Sequence, residues 1–540
     1  MESFMTDTKS SSGIYPRLCI AYFCQFAIWG SWAGALAGYA GDILKLPGVQ
    51  IGWLYAAIPL GAVISPLFIG PIADRFFSAQ KVVAFLHFIG GLCLLAAGWL
   101  CTSGQQTFAS LMTLILLSGV CFMPTIALVN TIVFKHLPDA NKAPRVFVFG
   151  TLGWIVINLF IAAFCDGAKT PKFFFVGGAV SIFLALYSLT LPNTPPKGAP
   201  APGEKSDALG LGALKLFKNP TFAIFAICIF IASIPACNYF FAGQVLFLTQ
   251  QGYPSPLALT TVNQFSELFF MAMLPFFVTK IGLKRVLLLG LLAWTLRYVC
   301  FAQGVFEITL FGLILHGLCY SFLYVGAYMY ADKMAPADTK ASVQSLMAFL
   351  LLGVGQTLGS LGYGKLADTY PPEITSMTVA KIGDKENVDG PLPAWADIKR
   401  ADSAWKYLDL GATVTSMMAK DKGEAEAAAP SDLGVLFDKD KNNVITKDEL
   451  NAITEPITLD GVTYSKENLE TIFAKIAEMS KSTDGSVTHA QWLAVQSNNW
   501  KMIWYLPAAF ITVFFLIFLA LGKDPVPAEA EGKKENEANA

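Results

Sequence analysis

The chain contains 540 residues, of which 54% are hydrophobic, 13% are aromatic and 14% are charged, and its formal net charge is −1. Soluble domains carry about 25% charged residues, so this composition excludes an ordinary soluble protein and indicates a chain that crosses a membrane many times. We therefore expect membrane lipid around most of it. The balanced charge and the lack of a dense basic patch argue against a nucleic-acid partner.

Twelve apolar runs are long enough to span a bilayer, for which a helix needs about 20 residues. They lie near 17–41, 51–73, 81–101, 107–133, 147–166, 173–191, 221–249, 260–279, 285–303, 307–331, 341–366 and 502–522. We expect an all-α membrane protein with twelve transmembrane helices in two six-helix halves. The predicted parts are an N-terminal half at 1–191, a proline-rich cytoplasmic linker at 192–220, helices 7–11 at 221–369, an insertion at 370–501, helix 12 at 502–522 and a polar tail at 523–540.

Lysine and arginine are distributed unequally between the short loops. If the N-terminus is cytoplasmic, the outer loops hold only Lys45, Lys169 and Lys172. The inner loops then hold Arg75, Lys81, Lys135, Lys142, Arg145, Lys280, Lys284, Arg285, Lys333 and Lys340. The positive-inside rule therefore places both termini in the cytoplasm and the insertion at 370–501 on the external face.

The loop between the second and third spans reads Gly70-Pro-Ile-Ala-Asp74-Arg75 and is followed by Lys81. It resembles the cytoplasmic loop motif of the major facilitator superfamily. This resemblance implies that Gly70 lets two helices approach closely and that Asp74 and Arg75 lock an inner gate. The alternative is a solvated loop with capping charges.

Five further runs resemble the bacterial nucleoside:proton symporters of that superfamily. They are Gln25-Phe-Ala-Ile-Trp-Gly-Ser-Trp32, Met123-Pro-Thr-Ile-Ala-Leu-Val-Asn-Thr131, Phe149-Gly-Thr-Leu-Gly153, Gln264-Phe-Ser-Glu267 and Ala293-Trp-Thr-Leu-Arg297. The resemblance implies a secondary transporter that imports nucleosides by alternating access across the inner membrane of a bacterium. It also implies that Thr151, Asn238, Gln264 and Glu267 contact the nucleoside.

Glu267 is the one acidic residue near the centre of a predicted span. An ionised side chain in hydrocarbon costs at least about 2.5 kcal/mol, so Glu267 is expected to face a cavity, a partner or a substrate. Gln264 lies three positions earlier, on the same helix face.

A nucleoside requires polar groups for its hydroxyls and aromatic surfaces for its base. Trp154 in span five is therefore a further candidate, as are His316 and Tyr320 in span ten. The alternative for Tyr320, and for Tyr324 on the same stripe, is packing alone. His316 has the alternative of a structural hydrogen-bonding role.

Two charged positions of the family pattern are neutral in this chain, where Phe147 and Ser321 replace an arginine and an aspartate. Coupling therefore rests on Glu267, Arg297 and His316, or transport uses another ion, or it is facilitated diffusion. Glu267 precedes Lys280 by thirteen positions, and Arg297 follows Lys284 by thirteen. Since these spans are antiparallel, the two side chains lie at equal depth. We expect them to interact directly or through one water.

Within the insertion, the twelve residues from Asp438 to Glu449 match a calcium-binding EF-hand loop. The expected ligands are the side chains of Asp438, Asp440, Asn442 and Glu449 and the backbone carbonyl of Val444. A degenerate loop at 480–491 completes a helical EF-hand pair over about 432–495, with Ile445 opposite Val487. Calcium is therefore the expected cofactor, and it is expected to rigidify the domain. The alternative is a calcium-free acidic linker.

Two other functions remain open at this stage. One is a transporter-like sensor of external nucleoside or calcium, and the other is a transporter of another hydroxylated solute, such as a sugar. An enzyme is not expected, because the spans contain no nucleophile–base or metal-hydrolase constellation.

Overall fold

The computed structural model describes residues 2–137, 143–196, 211–253, 255–336, 339–374, 377–382, 385–390, 392, 433–438, 440, 442–459 and 462–526. At 2–12, 66–75, 144, 237–238, 377–382, 385–390, 434–435 and 459 it describes the backbone alone.

The first half of the chain forms six apolar helical segments in sequence order. They are α1 Glu2–Ala33 with its continuation α2 Leu36–Gly38 and a π-helical turn Tyr39–Ile43, α3 Gly48–Arg75, α4 Ala79–Thr102, α5 Phe108–His136, α6 Ala143–Phe164 and α7 Lys172–Ser188. Helix α1 packs on α6 and α7, α4 packs on α5 and α7, and α3 packs on α5. These helices therefore form one bundle.

The second half begins with a short 3₁₀ helix, Leu211–Lys218. Its helices are α8 Pro220–Ser233, α9 Cys237–Gln250, α10 Pro256–Leu259, α11 Thr261–Ile281, α12 Leu283–Ala302, α13 Phe306–Ile314, α14 His316–Leu318, α15 Gly326–Met334, α16 Lys340–Ala348 and α17 Gln356–Thr369. The π-helical segments Cys319–Val325 and Phe349–Gly355 join α14 to α15 and α16 to α17. The last apolar helix is α22, Trp500–Leu521, and it packs on α12. Helices α18 to α21 belong to the insertion and precede it.

Ten helical stretches of the described residues are long and apolar enough to cross a membrane. Helices α7 and α8 are apolar but shorter, at 17 and 14 residues. Large apolar side chains such as Phe85, Trp99 and Phe160 are exposed on the outside of the bundle. A surface of this kind is suited to contact with lipid.

Helices α8 and α9 are separated by a break at Ile234, Pro235 and Ala236. A proline has no N–H and cannot continue the hydrogen-bond ladder of a helix. The Tyr298 hydroxyl contacts the carbonyl oxygens of Pro235 and Ala236, at 2.5 and 2.9 Å. This contact stabilises an interruption in the middle of an apolar segment.

The two halves meet closely where α3 begins and α17 ends. The Asp368 carboxylate accepts hydrogen bonds from the backbone N–H groups of Gly48, at 2.5 Å, and Val49, at 3.0 Å. Glycines permit this approach, because a Cβ on Gly364 or Gly48 would collide with backbone of the other helix. A carboxylate at a helix N-terminus is stabilising, since it satisfies free N–H groups and opposes the helix dipole. We call this contact the Asp368 cap.

The insertion between α17 and α22 contains a β-sheet, so the all-α prediction is wrong for this region. The strands β1 Met377–Ile382, β2 Lys385–Gly390, β4 Ile457–Leu459 and β5 Val462–Tyr464 form an antiparallel sheet in the order β2-β1-β5-β4. Ile382 pairs with Lys385, so β1 and β2 form a tight hairpin. The intervening Gly383-Asp384 has the composition of a two-residue hairpin turn, a signal that the sequence did contain.

The other described residues of the insertion include two helix–loop–helix units, which contribute to a core separate from that of the bundle. The helices are α18 Leu433–Phe437, α19 Lys447–Asn451, α20 Lys466–Met479 and α21 His489–Gln496. The short strands β3 Val444–Ile445 and β6 Val487–Thr488 pair, and Ile445 lies opposite Val487 as the sequence predicted. One face of α20 is apolar and buried, with Ile472 and Ile476 in the core of the insertion.

Candidate functional site

A small cavity lies between the two halves of the bundle. It is lined by Gly34 and Trp154 from the first half and by Phe241, Gln244, Val245, Thr260, Asn263 and Gln264 from the second. A ligand in this cavity therefore contacts both halves at once.

One wall of the cavity is aromatic. The Trp154 ring lies 5.8 Å from the Phe241 ring and packs edge to face on Trp29 at 5.6 Å, measured between ring centroids. Gly30 makes room for Trp154, because a Cβ at that position would lie 3.1 Å from the indole. A flat heterocycle can stack on such a wall.

The other wall consists of buried amides. Asn263 donates from Nδ2 to Gln244 Oε1 at 3.2 Å. Within the described part of the chain, Gln244 Nε2 and Gln264 Oε1 have no hydrogen-bond partner. A buried polar group without a partner costs about 1–3 kcal/mol, so this wall is suited to a polar ligand. Of these three residues, only Gln264 was predicted as a site residue.

Arg297 is fully buried behind the amide wall. Its guanidinium carbon lies 3.7 Å from the centroid of the Phe240 ring, and Nη2 donates to Asn263 Oδ1 at 3.1 Å. Its Nη1 contacts Nδ1 of His316. A buried cation is tolerated when hydrogen bonds and an aromatic face replace its hydration shell.

Glu267 faces His316 from the neighbouring helix, with 3.7 Å between Glu267 Oε2 and His316 Nε2. The Gly317 N–H donates to Ser266 Oγ at 3.1 Å, and that hydroxyl donates to the Ile314 carbonyl. A side chain at Gly317 would collide with the Ser266 backbone. The absence of a side chain at position 317 therefore brings Glu267 and His316 together.

The expected contact of Glu267 with Arg297, directly or through one water, is replaced by a bridge through the His316 imidazole. A guanidinium has donors only, so Nδ1 of His316 must accept from Arg297. The ring proton of His316 is then on Nε2, which faces the Glu267 carboxylate. A neutral His316 thus connects the two charged residues. The prediction located the depth of the pair correctly but overlooked the span-ten residue between them.

The aromatic stripe predicted on span ten is present. The rings of His316 and Tyr320 stack at 6.2 Å, and those of Tyr320 and Tyr324 stack at 5.6 Å. None of the three lines the cavity, which favours packing for the two tyrosines.

The other predicted site residues have different positions. Thr151 is partly exposed, one turn before Trp154 on α6, and does not line the cavity. Asn238 is in the first turn of α9, and its side chain lies outside the described residues. Gly70, Asp74 and Arg75 form the end of α3, where only the backbone is described, so the gate motif remains a prediction.

The first half of the chain contains a polar network of its own, which was not predicted from the sequence. His87 Nε2 pairs with Gln25 Oε1 at 2.9 Å, and Gln25 donates to Thr125 at 2.7 Å. The other ring nitrogen of His87 lies 3.2 Å from Ser181 Oγ. These residues connect α1, α4, α5 and α7, and all are buried. The network agrees with the interhelical role that polar residues commonly have in membranes.

The loop between α18 and α19 brings carboxylates together. Oxygens of Asp438, Asp440 and Glu449 lie within 4.8 Å of one another. Asn443 has φ of 63°, the left-handed conformation expected at the sixth loop position. Burial raises the pKa of Asp438, as expected for a carboxylate enclosed by the loop. In the degenerate loop, hydrogen bonds from Ser486 and Ser482 lower the pKa of Asp484 to about 2.

The paired helical halves with a cavity between them define a secondary transporter of the major facilitator type. A crystal structure of the nucleoside transporter NupG has a TM-score of 0.60 and 28% identity, covering 66% of this chain and 92% of that one. The fold is also shared by a bacterial homolog of the lysosomal transporter Spinster, with a TM-score of 0.58, 13% identity and coverage of 96% of this chain and 99% of that one.

The chain belongs to the nucleoside H⁺ symporter family, whose model matches residues 13–378. YegT of Escherichia coli (strain K12) is 38% identical over 357 residues, which are 64% of this chain and 82% of that protein. The nucleoside permease NupG of the same organism is 30% identical over 375 residues, which are 66% of this chain and 88% of that protein. These proteins are transporters, so the prediction that the chain is not an enzyme is confirmed.

Proposed function

We propose that this protein imports nucleosides across the inner membrane of a bacterium by alternating access and couples import to protons. The observation that carries the proposal is the cavity between the two halves. It joins an aromatic wall at Trp154 to buried amide atoms on Gln244 and Gln264 that have no partner among the described residues. A flat base and hydrogen-bonding polar groups on one ligand match those two walls.

A bundle of twelve spans in two sets of six accounts for the helix order. The ten long helices and the two shorter apolar helices, α7 and α8, together make twelve. Helix α8 continues beyond the break at 234–236 into α9, so the combined segment Pro220–Gln250 is long enough to cross the bilayer. Transporters commonly place an interrupted helix of this kind at the substrate site.

The distribution of lysine and arginine supports an external position for the insertion and cytoplasmic termini. In this orientation the Asp368 cap lies at the external end, where it holds the two halves together. Import by alternating access requires that contact to open when nucleoside enters from outside. The cap is therefore proposed as part of the external gate.

Glu267 is the proposed proton carrier. It is 19% exposed, whereas His316 is 2% exposed and has its Nδ1 committed to Arg297. A second positive charge on His316 would lie directly against Arg297, so protonation of His316 is disfavoured. Phe147 packs against Tyr22 at 4.8 Å and supplies no charge at the family's arginine position. Of the three coupling candidates, these relationships leave Glu267, which is more exposed than His316 and lies one turn after the cavity residue Gln264.

The family and the aromatic wall favour nucleosides over the two alternatives. A sugar alone has no flat ring to stack on Trp154 and Phe241. The relative NupG is described as a nucleoside permease, which supports transport rather than sensing.

Calcium binding is proposed for the loop from Asp438 to Glu449, with the ligands predicted above. The clustered carboxylates and the β3–β6 pairing support it. The chain leaving the insertion contacts the bundle, since Trp500 Nε1 and the Asn498 N–H both donate to Gln250 Oε1, at 2.8 and 3.0 Å. Gln250 ends α9, the helix that carries Gln244. Calcium would therefore stiffen a domain attached to a helix of the cavity.

Calorimetric titration of the purified full-length protein with uridine and with ribose tests the proposed substrate class. We expect saturable binding of uridine, much weaker binding of ribose, and weaker uridine binding in Trp154→Ala. Equal binding of uridine and ribose, unaffected by Trp154→Ala, would contradict a site built for nucleosides.

A further inference from the structure

Arg297 determines how the amide of Gln244 is oriented. A guanidinium only donates hydrogen bonds, so the atom of Asn263 that faces Arg297 Nη2 at 3.1 Å must be the side-chain oxygen. The Asn263 nitrogen then points the other way and donates to Gln244 Oε1 at 3.2 Å. With its oxygen occupied, Gln244 directs its NH₂ group elsewhere.

The two free amide atoms form a donor and an acceptor on one wall. Gln244 Nε2 is a donor and Gln264 Oε1 is an acceptor, and both are buried without a partner among the described residues. Gln244 is 2% exposed and Gln264 is 6% exposed, and both line the cavity. The cavity therefore presents a donor and an acceptor beside Trp154 and Phe241, and the contact with Asn263 holds the donor in place.

This pattern is complementary to a lactam edge, in which a carbonyl oxygen adjoins a ring N–H. The bases of uridine and inosine have this edge. Cytidine and adenosine have an amino group and an unprotonated ring nitrogen in the corresponding places. Their pattern is reversed. Gln244 Nε2 would face the amino group, which is also a donor, and Gln264 Oε1 would face the unprotonated ring nitrogen, which is also an acceptor.

We propose that Gln244 and Gln264 read the lactam edge of the nucleobase, so that the site selects uridine and inosine over cytidine and adenosine. Gln244 donates to the base carbonyl, and Gln264 accepts from the ring N–H. The base lies against Trp154 and Phe241. Asn263 is a positioning residue, because it holds the Gln244 amide in one orientation. The inference rests on the proposed nucleoside transport and names the class of base.

The preference between bases arises because the amide atoms of Gln244 and Gln264 are buried. A site built to hydrogen-bond a ligand rejects an analogue that leaves its buried groups unpaired. One such mismatch corresponds to about a tenfold or larger loss of affinity. Cytidine and adenosine each present two mismatches. Rotation of the Gln264 amide relieves one of them, whereas relief of the mismatch at Gln244 requires the Asn263–Gln244 bond to break.

The test is competition for labelled uridine uptake in proteoliposomes that contain the full-length protein. Unlabelled uridine, inosine, cytidine and adenosine are the competitors. We expect uridine and inosine to compete at about tenfold lower concentrations than the other two. Gln244→Glu places an acceptor at the cavity and is expected to shift the preference towards cytidine and adenosine.

Asn263→Leu tests the positioning role. Without Asn263, the Gln244 amide can rotate and present either atom, so the ratio of uridine to cytidine affinity is expected to fall towards one. Thr261→Val is the matched control outside the cavity lining, because the Thr261 hydroxyl already donates to the Ala258 carbonyl at 2.7 Å. It should keep the uridine-to-cytidine ratio of the wild type.

Equal competition by all four nucleosides in the wild type would overturn this inference while leaving nucleoside transport intact. An unchanged ratio in well-folded Gln244→Glu and Asn263→Leu, verified by thermal stability, would also overturn it. A wild type that neither binds nor transports any nucleoside would instead overturn the proposed function, and this inference with it.

Discussion

The imidazole Nε2 of His316 lies 3.7 Å from the carboxylate of Glu267. The other ring nitrogen contacts Arg297, so the imidazole ring lies between a fully buried guanidinium and the carboxylate. We propose that Glu267 exchanges its proton when the helices that carry the two residues move apart and this contact breaks. Motion of α11 relative to α13 and α14 can thus be linked to proton binding.

Glu267→Gln is expected to remove the pH dependence of uptake. The amide is close in shape to a protonated carboxyl but cannot release a proton. Initial rates of uridine uptake measured over a range of external pH should vary for the wild type and be flat for the variant. Glu307→Gln, on a residue at the end of a span, is the control. Identical pH profiles for wild type and Glu267→Gln would exclude Glu267 as the proton carrier.

Arg297→Met is expected to destabilise the protein strongly. It leaves Asn263 Oδ1 and His316 Nδ1 buried without their donor. Each such group costs about 1–3 kcal/mol, so a loss of several kcal/mol is expected. Thermal unfolding in detergent measures the loss, with Arg285→Met at the exposed end of α12 as the control. A variant as stable as the wild type would show that the guanidinium does not hold the amide wall together.

Asp368→Asn is expected to weaken closure between α3 and α17. The neutral amide keeps an oxygen but loses the charge at the helix N-terminus, which contributes about 0.3–1 kcal/mol. Spin labels at the exposed residues Lys45 and Lys365 report the separation, since the described native cysteines are buried or, for Cys300, half-buried.

The variant should show a larger fraction of long label-to-label distances than the wild type. Asp332→Asn is the control, because Asp332 pairs with the exposed Lys340 instead of with a helix end of the other half. Unchanged label-to-label distances in Asp368→Asn would show that the Asp368 cap does not hold α3 and α17 together at the external gate.

Glu449→Gln is expected to weaken calcium binding at least about tenfold, because the bidentate acid at the last loop position is central to such sites. Glu449 Oε2 also accepts from the Thr446 N–H at 2.9 Å, a contact that glutamine can keep. Calorimetric titration with calcium is the measurement. Asp484→Asn in the degenerate loop is the matched control, and its calcium affinity should equal that of the wild type. Equal calcium affinities for the wild type, Glu449→Gln and Asp484→Asn would show that the loop from Asp438 to Glu449 does not bind calcium.

The helical bundle could be predicted because an apolar run of about 20 residues has few other solutions in a membrane. Gln264 could be predicted as a site residue, because it stands in a family motif and lies on the same helix face as Glu267. The break at 234–236 had a visible signal in Pro235, but its stabilisation by Tyr298 depends on a contact between distant segments. The sequence Gly383-Asp384 also indicated the hairpin of β1 and β2. It was not used, because the insertion was predicted to be helical.

The amide wall could not be predicted in detail. Gln244 and Asn263 are ordinary polar residues in the sequence, and their orientation arises from Arg297, which lies on a third helical segment. The bridge between Glu267 and Arg297 was missed for the same reason, since rise per residue gives depth along a helix but not which neighbour lies between two helices.

Uptake of labelled uridine into proteoliposomes, with and without an inward proton gradient, tests the central claim most directly. Labelled ribose and empty liposomes are the controls. The account predicts that uridine accumulates against its own gradient only when the proton gradient is present, and that ribose does not accumulate. Binding of uridine without any accumulation under either condition would contradict it, because that result describes a sensor rather than a transporter.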